Sequence, residues 1–130
     1  MQVIQTHRTD PPQRADVDVL PGMTLLEFGT SWCGYCQNAQ PILAQALEGL
    51  PPLRHLKIED GKGQALGRSF AVKLWPTLIL LRDGHEMARV IRPNNADAMA
   101  KLLAQLSHPL HGSTSASAST TATATPQRNL

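Results

Sequence analysis

The chain has 130 residues, 42% hydrophobic and 17% charged, and its twelve basic and ten acidic side chains give a formal net charge of +2. That is one domain's worth of material, with enough apolar content for a core and too little charge for wholesale disorder. Two cysteines cannot staple a small disulfide scaffold or complete a four-thiolate metal site in one chain, no apolar run approaches the ~18 residues of a membrane span, and no basic cluster marks a nucleic-acid face.

Met1 to Leu20 carries His7, Arg8, Asp10, Pro11, Pro12, Arg14, Asp16 and Asp18 and lacks the apolar stretch of a targeting signal. We therefore expect a cytoplasmic protein, where a cysteine pair is more often catalytic than structural. Val3–Thr6 reads as a short edge strand, and Asp10-Pro11-Pro12 opens a turn or short helix. Thr24–Phe28 is a strand between Pro21-Gly22 and Gly29. From Cys36 the pattern is helical, with Ile42, Leu43, Ala46, Leu47 and Leu50 at three- and four-residue steps. Pro41 is expected to kink this helix, and Gly49 with Pro51-Pro52 to end it.

Leu53–Glu59 reads as a buried strand, Asp60–Gly63 as a loop and Gln64–Phe70 as a short helix. Thr77–Leu81 is a near-continuous apolar run, the pattern of a strand covered on both faces. Asp83-Gly84 signals a hairpin that returns Glu86–Ile91 antiparallel. Asn94 or Asn95 caps a last helix with the apolar stripe Met99, Leu102, Leu103 and Leu106. Residues Ser113–Thr125 are all Ser, Thr or Ala and have almost nothing to bury. The expected organisation is a domain over 1–107 and a disordered tail over 108–130. The order β–α–β–α–β–β–α predicts an α/β domain with a central mixed sheet flanked by helices.

The chemistry concentrates at Cys33-Gly34-Tyr35-Cys36, where a strand passes into a helix. Residues three apart in a first helical turn share a face, so the two sulfurs can close and reopen a small ring. Cys33 falls at the helix N-terminus, where free amides and the helix dipole favour a thiolate, and Cys36 is expected to be more buried and less acidic. Cys33 is then the nucleophile and Cys36 the resolving thiol. Glu27 stands in an otherwise apolar strand, six residues before Cys33. Burial is expected to raise its pKa, fit it to shuttle a proton to or from Cys36, and make its removal stabilising. His55 is a candidate partner for it, against the default of a surface histidine. Trp75-Pro76-Thr77 opens the apolar strand, a place where proline is tolerated and a tight turn admits a cis bond. Three of the five aromatic residues, Trp32, Tyr35 and Trp75, flank these motifs and suggest an apolar contact surface for another chain.

Taken together, Leu25-Leu26-Glu27-Phe28, Trp32-Cys33-Gly34-Tyr35-Cys36, Pro41, Phe70-Ala71-Val72, Trp75-Pro76-Thr77 and Arg82-Asp83-Gly84 resemble thioredoxin over residues 20–107. The resemblance implies a thioredoxin fold, a cis Pro76 facing the sulfurs and dithiol–disulfide exchange. The family's buried aspartate falls on Glu27 and its neighbouring lysine on His55. Departures are Tyr35 where proline usually precedes the second cysteine, Gly29 in place of a tryptophan, Trp75 before the proline, and Arg92-Pro93 where the family carries a small Gly-Ala pair beside the substrate groove.

The expected function is reduction of protein disulfides by a monomer that binds no nucleic acid, membrane or cofactor. Trp32, Tyr35, Trp75, Pro76 and Arg92 would contact substrate, and electrons would come from NADPH through a thioredoxin reductase. Tyr35 also resembles disulfide isomerases, so an oxidase or isomerase is the alternative. Other readings are a non-catalytic binding module, an iron–sulfur cluster shared by two chains, and a zinc site of Cys33, Cys36, His108 and His111, whose His-x-x-His spacing is short for zinc.

Overall fold

The computed structural model describes residues 4–8, 12–51 and 53–107, with only the backbone of 4–8 and Ser107. Its sheet comprises β1 (Ile4–Arg8), β2 (Met23–Gly29), β3 (Arg54–Glu59), β4 (Thr77–Arg82) and β5 (His85–Ile91), in the order β1-β3-β2-β4-β5. β1 and β2 each run parallel to β3, while β4 is antiparallel to both β2 and β5. The helices are α1 (Arg14–Asp18), α2 (Gly34–Leu47), α3 (Ala65–Ser69) and α4 (Ala96–Leu103), the last extended by a 3-10 turn over Ala104–Ser107.

Strand alternation sorts the side chains onto two faces. Leu26 and Phe28 of β2 enter one core with Val17 of α1, Leu66 of α3 and Phe70. Leu25 enters the other, with Leu43 and Leu47 of α2 and Met99 and Leu102 of α4. β4 divides the same way, Ile79 and Leu81 joining the first core and Leu78 and Leu80 the second. Both its faces are covered, which is why Thr77–Leu81 has no polar alternation. Glu27 shares the parity of Leu25, so its carboxyl is delivered to the α2 side of the sheet.

β1 starts at Ile4 and reaches Arg8, past the expected Thr6. α2 starts at Gly34 with Cys33 at its N-terminus as expected, two residues ahead of where the apolar periodicity begins, and the cap's sulfur receives the Cys36 N–H. The helix continues through Pro41 to Leu47, although that proline leaves the Gln37 carbonyl without its usual helical donor. Of the two candidate caps for α4, Asn95 serves, its Oδ1 accepting the Ala98 N–H at 3.0 Å. The β4–β5 turn is anchored across the chain: Asp83 N–H donates to Gly22 O at 2.8 Å, and Gly22 N–H donates to Asp83 Oδ1 at 2.7 Å. Among the described residues, no helix is long and apolar enough to cross a membrane. Val3, Asp10, Pro11, Pro52, His108, His111 and the expected tail lie outside the described residues.

Candidate active site

Cys33 and Cys36 are both free thiols, 7% and 4% exposed. The β2–α2 junction places Cys33 in extended conformation as the helix cap, with its Sγ 3.2 Å from the Cys36 amide. An N–H at a helix N-terminus is a favourable donor to negative charge on that sulfur. One turn further in, burial and the adjoining Cys33 and Glu27 push the Cys36 thiol up to about 12, against a backbone hydrogen bond from Thr30 that favours its thiolate. Gly29 makes room for it. A Cβ at position 29 would sit 2.5 Å from Cys36 Sγ, closer than real contacts permit.

Behind Cys36, Glu27 is 2% exposed and hydrogen-bonded to two side chains, one of which links it to Lys57. His55 Nε2 lies 2.8 Å from its Oε1, and Gln40 Nε2 donates to its Oε2 at 2.6 Å. Gln40 also donates to the Cys36 carbonyl at 3.2 Å and accepts from Lys57 Nζ at 3.0 Å. These partners correct the expected pKa. Burial does push the Glu27 carboxyl up, but the hydrogen bonds from His55 and Gln40 and the charges of His55 and Lys57 outweigh it and hold the group below its ordinary value. Glu27 is therefore ionised at neutral pH. His55 is no surface histidine, being 1% exposed.

The rim is built from three loops. Trp32, 70% exposed, meets Trp75 edge to face with ring centres 5.7 Å apart, linking the cysteine motif to the turn before β4. The Trp75–Pro76 peptide is cis, and Pro76 is buried. Trp75 Nε1 donates to Asp60 Oδ2 at 2.8 Å, which fixes the indole against the end of β3. From the β5–α4 loop, Arg92 donates its backbone N–H to Pro76 O at 2.8 Å and its Nε to Trp75 O at 2.9 Å. The guanidinium lies 4.0 Å above the centre of the exposed Tyr35 ring.

Sequence reasoning passed over Gln40, Lys57 and Asp60. The signal for Gln40 was its place four residues after Cys36 on one helix, and for Lys57 its place one residue from Leu56 and Ile58, on the opposite face of β3. Asp60 carried no local signal, since its partner is fifteen residues away. Among the described residues, no group of three or more His, Cys, Asp or Glu side chains is arranged to hold a metal ion.

The thioredoxin family model matches residues 8–105. Thioredoxin of Chlamydia trachomatis is 30% identical over 87 residues, spanning 67% of this chain and 85% of that protein. Protein disulfide-isomerase A3 of Gallus gallus is 32% identical over 92 residues, which is 68% of this chain and 18% of the isomerase. The solved structure of thioredoxin 2 from Pseudomonas aeruginosa, in its reduced form, is 51% identical with a TM-score of 0.71, covering 78% of this chain and 94% of its own. With the match spanning β2, the Cys33–Cys36 helix start and the cis-proline turn, the chain belongs to the thioredoxin family, a family of thiol–disulfide oxidoreductases that need no bound cofactor.

Proposed function

We propose that this thiol–disulfide oxidoreductase reduces protein disulfides through a Cys33–Cys36 dithiol–disulfide cycle. Cys33 thiolate attacks one sulfur of the substrate disulfide, forming a mixed disulfide and releasing the first substrate thiolate. Cys36 thiolate then attacks Cys33 Sγ, closing the Cys33–Cys36 disulfide and releasing the second. Two electrons pass from the dithiol to the substrate, and the two thiol protons follow. The observation that carries this reading is the asymmetry of the pair: Cys33 caps α2 under the Cys36 amide, while Cys36 is held as a thiol with its pKa near about 12.

That asymmetry also accounts for the timing. Two of the causes that raise Cys36, its hydrogen bond with Cys33 and the Cys33 charge, vanish once Cys33 is bound in a neutral mixed disulfide. Cys36 becomes more acidic at the step that needs its thiolate. Glu27, ionised and linked to His55, takes the Cys36 proton only in passing on its way to solvent, because a carboxylate with a lowered pKa is a weak base. Trp32, Tyr35, Trp75 and Pro76 form the substrate platform, and the extended substrate adds beside Trp75 as a strand.

The protein functions as a cytoplasmic monomer, with residues 1–107 as the working domain and 108–130 as an accessory tail. A thioredoxin reductase drawing on NADPH returns it to the dithiol. The deciding experiment equilibrates the pair with glutathione buffers. A reduction potential near about −270 mV, where thioredoxin sits, supports the reductase, and one near about −180 mV, where protein disulfide isomerase sits, assigns oxidation or isomerisation and makes Tyr35 the residue to change.

A further inference from the structure

We propose that Arg92 selects substrates whose disulfide is flanked by an acidic side chain, and that this contact opens the Trp75 edge to the incoming strand. The inference rests on the oxidoreductase reading above and deepens it to a substrate class.

Arg92 is held in an unusual place. Its φ is +52°, in the left-handed region that a residue with a Cβ adopts at an energetic cost, and its backbone N–H is fixed on Pro76 O. The side chain turns back over the motif. Nε donates to Trp75 O at 2.9 Å, and that carbonyl is the main-chain acceptor that an added strand needs beside the proline. The guanidinium stacks on Tyr35, two residues from Cys33 in sequence. A guanidinium carries donors on both terminal nitrogens as well as Nε, and among the described residues neither terminal nitrogen of Arg92 has a hydrogen-bond partner.

The surrounding charge is one-sided. The rim segments 30–35, 71–76 and 91–95 contain Lys73 and Arg92 and no carboxylate. Asp60, the carboxylate that touches this rim, is engaged with the Trp75 indole. A substrate carboxylate next to the attacked cysteine therefore meets a planar fork with free donors and, among the described residues, no carboxylate already paired with it. Pairing with it draws Nε away from Trp75 O, which then accepts an N–H from the substrate strand. With a neutral flank the guanidinium stays on that carbonyl and competes with the strand.

The test uses two peptides that share one disulfide loop and differ by Glu or Gln beside the attacked cysteine, together with the small neutral 2-hydroxyethyl disulfide. Rates with the dithiol protein are normalised to uncatalysed reduction by dithiothreitol. The wild type is expected to prefer the Glu peptide about fivefold in kcat/KM, the range of a surface ion pair. The preference should shrink at about 1 M salt. It should fall below about twofold in Arg92→Gln and be partly kept in Arg92→Lys, which retains the charge without the fork. Equal wild-type rates on the two peptides, or a preference intact in Arg92→Gln, overturn the assignment. A wild type inert even toward the neutral disulfide overturns the oxidoreductase reading and this inference with it.

Discussion

Glu27 and His55, on adjacent parallel strands, meet through Oε1 and Nε2 at 2.8 Å, with 2% and 1% of their surfaces exposed. Removing Glu27 leaves the His55 ring and the Gln40 amide without their buried acceptor, at a cost of about 1 to 3 kcal/mol. Glu27→Ala is therefore expected to destabilise the protein by about 2 kcal/mol in urea titration, the reverse of what an isolated buried carboxylate would do. A stabilised Glu27→Ala variant would mean that the pair is not formed.

The same contact contributes to stability on the acid side. The folded pKa of Glu27 lies below its ordinary value of 4.5, so its contribution is complete above that pH and is lost as pH falls through the folded value. His55→Asn removes a hydrogen bond and charge that lower it and leaves the burial that raises it. The acid unfolding midpoint should move to higher pH, and carboxyl titration by NMR should show Glu27 protonating earlier. An unmoved midpoint contradicts the role given to His55.

Cys36 contributes on the alkaline side. Its folded pKa, about 12, lies above its ordinary 9.0, so the reduced protein holds this contribution below pH 9.0 and loses it as pH rises toward 12. The oxidised protein has no thiol there and should lack that loss. Denaturant midpoints of the two forms from pH 8 to 11 check it, and parallel curves would contradict the burial of the Cys36 thiol.

The readable parts of the sequence were those with local causes. The apolar run Thr77–Leu81, the Asp83-Gly84 hairpin and the cysteine spacing each carry their reason within a few residues. The pKa of Glu27 did not, because its sign depends on Gln40 of α2 and on His55 and Lys57 of β3, groups that only the sheet order brings together. A lone histidine between Arg54 and Leu56 gives no sign of its burial, whereas the place of Cys33 at the N-terminus of α2 was legible from the cysteine spacing. Arg92 was visible as a departure from the family pattern, whereas its hold on the Trp75 carbonyl was not.

Two glycines with positive φ separate backbone strain from crowding. At Gly84, φ is +83° and a Cβ would collide with the Asp18 carbonyl, so Gly84→Ala should cost about 2 kcal/mol or more. At Gly49, φ is +74° with open space around the Cβ position, and Gly49→Ala should cost about 1 kcal/mol. Equal losses in thermal melts would contradict the packing of α1 against the β4–β5 turn.

The proposed order, attack by Cys33 and resolution by Cys36, is open to trapping of the mixed disulfide. Cys36→Ser is mixed with a disulfide-containing protein, quenched with acid and mapped by mass spectrometry. A stable adduct bonded through Cys33 is expected, with no comparable adduct from Cys33→Ser. An adduct formed by Cys33→Ser through Cys36, with none from Cys36→Ser, would contradict it.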